Sequence, residues 1–151
     1  MKNEDKVIYT SEDITFIIPT KDRPEKIINL LDSLVNQSLK PGKIIIVDGG
    51  SSIKSIVTSY SKLIPVEYMK CFPPGQIRQK NMALGVLDEQ TKLVGYLDDD
   101  IVLEEGSLES MINHFNSIHI DTAAVSFNIV NVEPHKHSLI RGVMGMSSRQ
   151  Q

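Results

Sequence analysis

Lys43-Ile44-Ile45-Ile46-Val47-Asp48-Gly49-Gly50 is the stretch that decides the fold. Five residues, four of them β-branched, end abruptly in an acid and two glycines. A short continuous apolar run bounded by turn residues reads as a strand buried on both faces, the kind found in parallel sheets. Upstream, Pro41-Gly42 breaks the chain. Before that break lies Ile14-Thr15-Phe16-Ile17-Ile18, a second buried strand, stopped by Pro19. Between the two strands, Asp22-Arg23-Pro24-Glu25 marks a helix start, with Asp22 or a near neighbour as cap and Pro24 in the first turn. Ile27, Leu30, Leu31 and Leu34 then follow at helical spacing.

Downstream the alternation continues. A weaker helix covers Ile53 to about Ser61, a third strand Val66 to Met69, and Pro73-Pro74-Gly75 a loop. Ile77 to about Glu89 reads as a helix with Ala83, Leu84 and Leu87 on one face. Lys92 to Leu97 reads as a fourth, buried strand, and Leu108, Met111, Ile112 and Phe115 mark a further helix. Ala123 to Asn131 is expected to form a fifth strand. This order predicts a mostly parallel α/β sheet with helices on both faces. Ligands of such sheets bind at the carboxyl ends of the strands. Three polar clusters fall on that edge: Pro19-Thr20-Lys21-Asp22, Asp48-Gly49-Gly50-Ser51 and Asp98-Asp99-Asp100.

The last cluster carries the most chemistry. Three adjacent carboxylates repel one another unless a cation intervenes. Hard carboxylate oxygens suit Mg²⁺ or Mn²⁺, which commonly bridge to substrate phosphates. In extended chain, Asp98 and Asp100 project to one side and Asp99 to the other; a solvated acidic turn is the plainer reading. In Asp48-Gly49-Gly50-Ser51-Ser52 the glycines let backbone approach a ligand and the carboxylate can accept from a ribose or base. A tight turn with Ser51 or Ser52 as cap is the competing account. Arg78 and Lys80, near a helix start after Gly75, are placed to hold a diphosphate, or else lie on a solvated face.

Bulk properties narrow the field. The 151 residues suffice for one domain with a core, and a net charge of −3 argues against a general nucleic-acid binder. The single cysteine, Cys71, cannot form an internal disulfide. No apolar run nears the ~20 residues that span a bilayer, and no signal-peptide core follows the charged start. A cytoplasmic protein is expected, either free or peripheral at the inner face of the membrane. There is no G-x-x-x-x-G-K-[ST] and no G-x-G-x-x-G, which disfavours a P-loop nucleotidase and the usual dinucleotide fold. His135-Lys136-His137 reads as a solvated tail rather than a metal site.

Together these segments resemble family 2 glycosyltransferases of the GT-A fold. Phe16 to Arg23 looks like that family's opening strand, and Leu34-Val35-Asn36-Gln37-Ser38 is similar to its first helix end. Ile45 to Ser51 resembles its second strand and turn. Gly75-Gln76-Ile77-Arg78-Gln79-Lys80-Asn81 looks like its glycine-to-Arg-Asn segment, with Lys80 where arginine is usual. Tyr96 to Ile101 matches its D-x-D motif, followed by Glu105-Gly106-Ser107-Leu108. Residues 1–12 read as a polar leader and 132–151, without a clear period, as a loop or frayed end; the resemblance implies a nucleotide-sugar-binding domain over 13–131. It implies donor-binding residues Pro19, Thr20, Asp22, Arg23, Asp48, Gly49, Arg78, Lys80, Asn81, Asp98 and Asp99, and Mg²⁺ or Mn²⁺ on Asp98, Asp99 and Asp100.

The implied reaction is sugar transfer from a nucleotide-diphosphate donor, with inversion, to an unknown acceptor: a glycan, a lipid-linked carrier or another hydroxyl. Gly49 stands where many members carry a second acid that reads the base. The chain stops about 50 residues after Asp100, so the acceptor half with its catalytic base is expected to be missing. Asp121 and Glu133 are the only carboxylates late enough to replace it, and neither sits in a motif. A metal-dependent nucleotidyltransferase is the alternative enzyme, weakened by the lack of a glycine-rich, lysine-containing loop after the first strand. A receiver-type module fits poorly, because the acids follow strands two and four. A non-catalytic nucleotide-binding fragment is the remaining alternative.

Overall fold

The apolar runs become adjacent strands of one parallel sheet. In the computed structural model, which describes residues 7–89, 91–118 and 122–127, these are β1 (Ile14–Thr20), β2 (Lys43–Asp48), β3 (Val66–Lys70) and β4 (Leu93–Tyr96). Their spatial order is β3-β2-β1-β4. Pairing runs from Thr15↔Lys43 to Thr20↔Asp48 between β1 and β2, and from Ile14↔Leu93 to Ile17↔Tyr96 between β1 and β4. The helices are α1 (Pro24–Val35), α2 (Lys54–Tyr60), α3 (Gln76–Leu84) and α4 (Ser107–Ser117), with a short 3₁₀ turn at Ser11–Asp13. The chain steps from β1 outward to β3, then returns to lay β4 on the other side of β1. The carboxyl ends of β1 and β4 therefore flank a switch point, where open α/β sheets leave a crevice.

Alternation along the strands divides the core. Ile14, Phe16, Ile18, Ile44 and Ile46 face α1, α2 and α4, packing on Ile27, Leu30, Leu31, Leu34, Val57, Leu108 and Ile112. Ile17, Ile45 and Val47 face the other way, onto Cys71 and Ala83 of the α3 side. Helices cover both faces, as expected, with α3 alone on the thinner one among the described elements. Gly95 pairs with Phe16 in the ladder, and a Cβ there would stand 2.5 Å from the Phe16 ring.

Several boundaries depart from the sequence reading. Pro19 does not stop β1. Backbone direction alternates along a strand; Ile17 O accepts from Leu97 N and Thr20 O from Gly49 N, so position 19 faces the β4 side. β4 has already ended there, so the absent N–H of Pro19 costs no ladder bond. β4 itself is half-exposed, with Val94 and Tyr96 open to solvent, because it is an edge strand among the described residues. α3 ends at Leu84, and Leu84 is exposed while Leu87 packs on the core from the turn beyond. Asp22 is not the α1 cap: the cap position is Arg23, without a side-chain bond, and Asp22 sits at φ 54° with its carboxylate accepting from Ser51 N at 2.6 Å. The cap position of α2 is Ile53 rather than Ser51 or Ser52, although Ser52 Oγ makes a long contact, 3.4 Å, with the first helical amide, Lys54 N.

Residues 122–127 have no regular secondary structure, so the first part of the expected fifth strand is not one. Its remainder (128–131), the tail 132–151, Asp121, Glu133, His135 and His137 lie outside the described residues, as do residues 1–6 of the leader. The described part of the leader is docked: Asn116 Oδ1 accepts from Tyr9 N at 2.8 Å and Asn116 Nδ2 donates to Tyr9 O at 2.9 Å.

Candidate active site

The two strand ends beside the switch point meet through one carboxylate. The hydroxyl of Thr20, the last residue of β1, donates to Asp99 Oδ2 at 2.7 Å. Arg23 Nη1 donates to Asp99 Oδ1 at 3.0 Å and lies 3.8 Å from Asp100. Asp99 is buried and both its oxygens are engaged. Asp98 and Asp100 are exposed; Asp99 and Asp100 lie in a turn rather than in extended chain, and Arg23 approaches both of them. Asp98 receives only a long contact from Gln76 Nε2, 3.4 Å.

These groups enclose a cavity of about 300 Å³. Its walls are Pro19, Thr20, Lys21 and Arg23 from the β1 exit, Gln76 and Gln79 from α3, and the three aspartates. Gln79 is buried, and its Nε2 donates to Thr20 O at 2.8 Å and Val47 O at 2.6 Å, bridging the carboxyl ends of β1 and β2. Sequence reading missed Gln76 and Gln79 as cavity residues, and placed Lys21 on the ligand edge without assigning it to the site. The available signal was spacing: positions 76 and 79, in the first turn of a helix after Gly75, share a face.

The other expected residues stand apart. Asp48 is fully buried behind the cavity. Its Oδ1 accepts from Gly50 N at 2.7 Å; its Oδ2 accepts from the Tyr68 hydroxyl at 2.8 Å and Lys70 Nζ at 3.2 Å. Lys70 also donates to Gly50 O. Burial, together with the Asp48 charge, pushes the Tyr68 hydroxyl up, so it remains a donor at neutral pH. Gly49 has Pro74 against it: a Cβ there would lie 2.8 Å from Pro74 Cβ. The Ser51 N–H holds the Asp22 carboxyl below its usual range. Arg78 and Asn81 are exposed on α3 and line no part of the cavity. Lys80 Nζ sits 5.2 Å over the Tyr96 ring, a cation–π contact at the end of β4.

The donor set also bears on a cation. Among the described residues no three His, Cys, Asp or Glu side chains converge on one point, which does not suit an all-protein cage. Two exposed carboxylates, Asp98 and Asp100, beside an open cavity do suit a cation held by one or two carboxylates plus phosphate oxygens, the usual Mg²⁺ arrangement.

A parallel sheet with a switch-point crevice and this ordered set of strand-end motifs has a counterpart among known proteins. The model of glycosyl transferase family 2 matches residues 15–149. The chain belongs to that family. A curated relative, the minor teichoic acid biosynthesis protein GgaA of Bacillus subtilis (strain 168), is 26% identical over 133 residues, covering 83% of this chain and 30% of GgaA. The crystal structure of S. aureus TarS 1-349 superposes with a TM-score of 0.61 at 20% identity, over 68% of this chain and 32% of TarS 1-349. The same TarS fragment in complex with UDP-GlcNAc gives 0.59 at 21% identity, covering 68% of this chain and 31% of that one. This family 2 chain thus spans about a third of the length of these relatives, and TarS shares its GT-A fold. Among the described residues no helix is long and apolar enough to cross a membrane.

Proposed function

We propose that this chain is the donor-binding part of an inverting glycosyltransferase that takes a UDP-sugar with Mg²⁺ or Mn²⁺. The observation that carries the reading is the cavity between the β1 and β4 ends, with Asp98 and Asp100 open to it and Arg23 and Lys21 beside it. The UDP and UDP-GlcNAc complexes of TarS support a uridine donor, and GgaA suggests teichoic acid as the acceptor class to test first. Asp98 and Asp100 would hold the cation against the diphosphate, where it would neutralise charge on the leaving UDP. Thr20 and Asp99 set the cavity wall. Lys21 and Arg23 supply positive charge near the phosphates. In the transfer, an acceptor hydroxyl attacks the anomeric carbon, the bond to the diphosphate oxygen breaks, and a carboxylate base takes the hydroxyl proton. No described residue is assigned as that base. A cytoplasmic position, free or at the inner membrane face, belongs to the same reading.

Calorimetry with UDP and GDP, in Mn²⁺ and in EDTA, tests it. UDP is expected to bind at least tenfold tighter with Mn²⁺. Equal UDP affinity in the two buffers would remove the metal bridge, and no binding of either nucleotide would remove the donor site.

A further inference from the structure

The acidic turn is a span between two anchors. Upstream, Leu97 N donates to Ile17 O at 3.1 Å, continuing the β1–β4 ladder. Downstream, the anchor is made by two buried polar side chains of the α1 end, Ser33 and Gln37. Ser33 Oγ donates to Leu30 O at 2.7 Å and accepts from Leu103 N at 3.1 Å. Gln37 Nε2 donates to Glu104 O at 2.9 Å and to Ser33 O at 3.2 Å, while its Oε1 accepts from Leu108 N at 3.2 Å. α4 has Gly106 at its cap position, at φ 76°, with no side chain to satisfy its first amides. Gln37, just past the end of α1 and 71 residues away in sequence, satisfies one of them, Leu108 N.

Between these anchors there is no helix or strand. Residues 98–102 are held by the Asp99 bonds, the Arg23–Asp100 ion pair, the Gln76–Asp98 contact, the turn bond from Ile101 N to Asp98 O at 3.2 Å and the packing of Ile101 on the core. Ile101 and Leu103 set the depth of the exit from Asp100 by packing on the core, and the bonds to Leu103 N and Glu104 O fix its backbone register. Neither Ser33 nor Gln37 lines the cavity, so neither is placed to touch a ligand in it. Sub-ångström placement of ligating carboxylates matters greatly to what they bind.

We propose that Ser33 and Gln37 are positioning residues for the Asp98–Asp100 turn, setting the spacing at which Asp98 and Asp100 meet a cation–diphosphate. The binding half of this inference rests on the metal reading above; the positional half does not. Ser33→Ala, Ser33→Thr and Gln37→Leu of the full chain are compared with wild type in two measurements. The first is exchange of the Ile101 amide in the ligand-free protein, a probe that neither side chain bonds directly. The second is UDP affinity in Mn²⁺ and in EDTA.

Ser33→Ala and Gln37→Leu are expected to speed Ile101 exchange at least tenfold while amides of β1 and β2 keep their protection. They are expected to cut the Mn²⁺-dependent gain about tenfold with EDTA affinity within twofold. Ser33→Thr, which keeps the hydroxyl, is expected to behave as wild type. Acceleration confined to Leu103 and Leu108, equal damage from Ser33→Thr and Ser33→Ala, or affinities falling in proportion with and without Mn²⁺ would overturn the proposal. If wild type shows no Mn²⁺ gain, the metal reading fails, and Ile101 exchange still decides the positional role.

Discussion

Two acidic strand ends lie on the same edge of this sheet and differ in what satisfies them. Asp48, at the end of β2, is fully buried, and both its oxygens are taken by Gly50 N, Tyr68 and Lys70. Asp98 and Asp100, past the end of β4, are exposed beside the cavity, while Asp99 between them is turned inward onto Thr20 and Arg23. An acid at a strand end is thus framework where neighbouring strands supply its donors, and available to a ligand where they do not. The number of protein donors, rather than position on the edge, separates the two.

The largest effect should come from the buried end. Asp48→Ala leaves the Gly50 amide and the Tyr68 hydroxyl without their acceptor. Losses of about 1–3 kcal/mol for each unsatisfied donor predict destabilisation of about 3 kcal/mol. That is a fall in Tm of roughly 6–12 °C for a chain of this size, read by thermal unfolding. A Tm within a degree of wild type would place Asp48 with the ligand-facing acids and break the comparison.

The open end should respond the other way. Asp100→Asn is expected to leave stability within about 0.5 kcal/mol, since it removes one charge from a repelling cluster. The same change should reduce the Mn²⁺-dependent part of UDP affinity about tenfold, which is ~1.4 kcal/mol, measured by calorimetry. A large loss of apo Tm with unchanged metal dependence would make Asp100 framework as well.

The smallest effect concerns Asp13, an acid at the amino end of the sheet, where no ligand site is expected. A bond from Lys92 at 2.7 Å, then the Thr10 amide, hold its carboxyl below the usual 3.8. A depressed folded value means the stabilisation is fully present above about pH 3.8 and drains away as pH falls through the lower folded value. Asp13→Asn should therefore flatten the acid limb of stability against pH slightly and leave neutral-pH UDP binding unchanged. A change in UDP binding would show that the two ends of the sheet are coupled.

Legibility followed the range of the interactions. β1 and β2 are readable because burial on both faces writes itself as a continuous apolar run, whereas β3, an edge strand among the described residues with Glu67 and Lys70 exposed, is legible only as a short run bounded by turn residues. β4 was read as buried, since Leu93-Val94-Gly95-Tyr96 is equally apolar; its edge position, with Val94 and Tyr96 open, is a matter of neighbours. Pro19 was read as a stop because its missing N–H is visible in sequence, whereas the early end of β4 that makes it harmless is not. The D-x-D segment was readable as an unusual charge cluster. Gln79 was not, because a glutamine with two backbone acceptors on different strands looks like any helical glutamine.

The sequence by itself determined the strand–helix alternation, the parallel sheet and the family, since each rests on local periodicity and on motifs a few residues long. Tertiary structure alone decided the strand order β3-β2-β1-β4, and with it the roles of the acids. That order lays the Asp98–Asp100 turn beside β1, so Asp99 meets a hydroxyl 79 residues away, and lays β3 beside β2, so Asp48 meets Tyr68 and Lys70. A carboxylate's availability depends on which donors packing brings within about 3 Å, and donors on other strands leave no trace in the residues beside it.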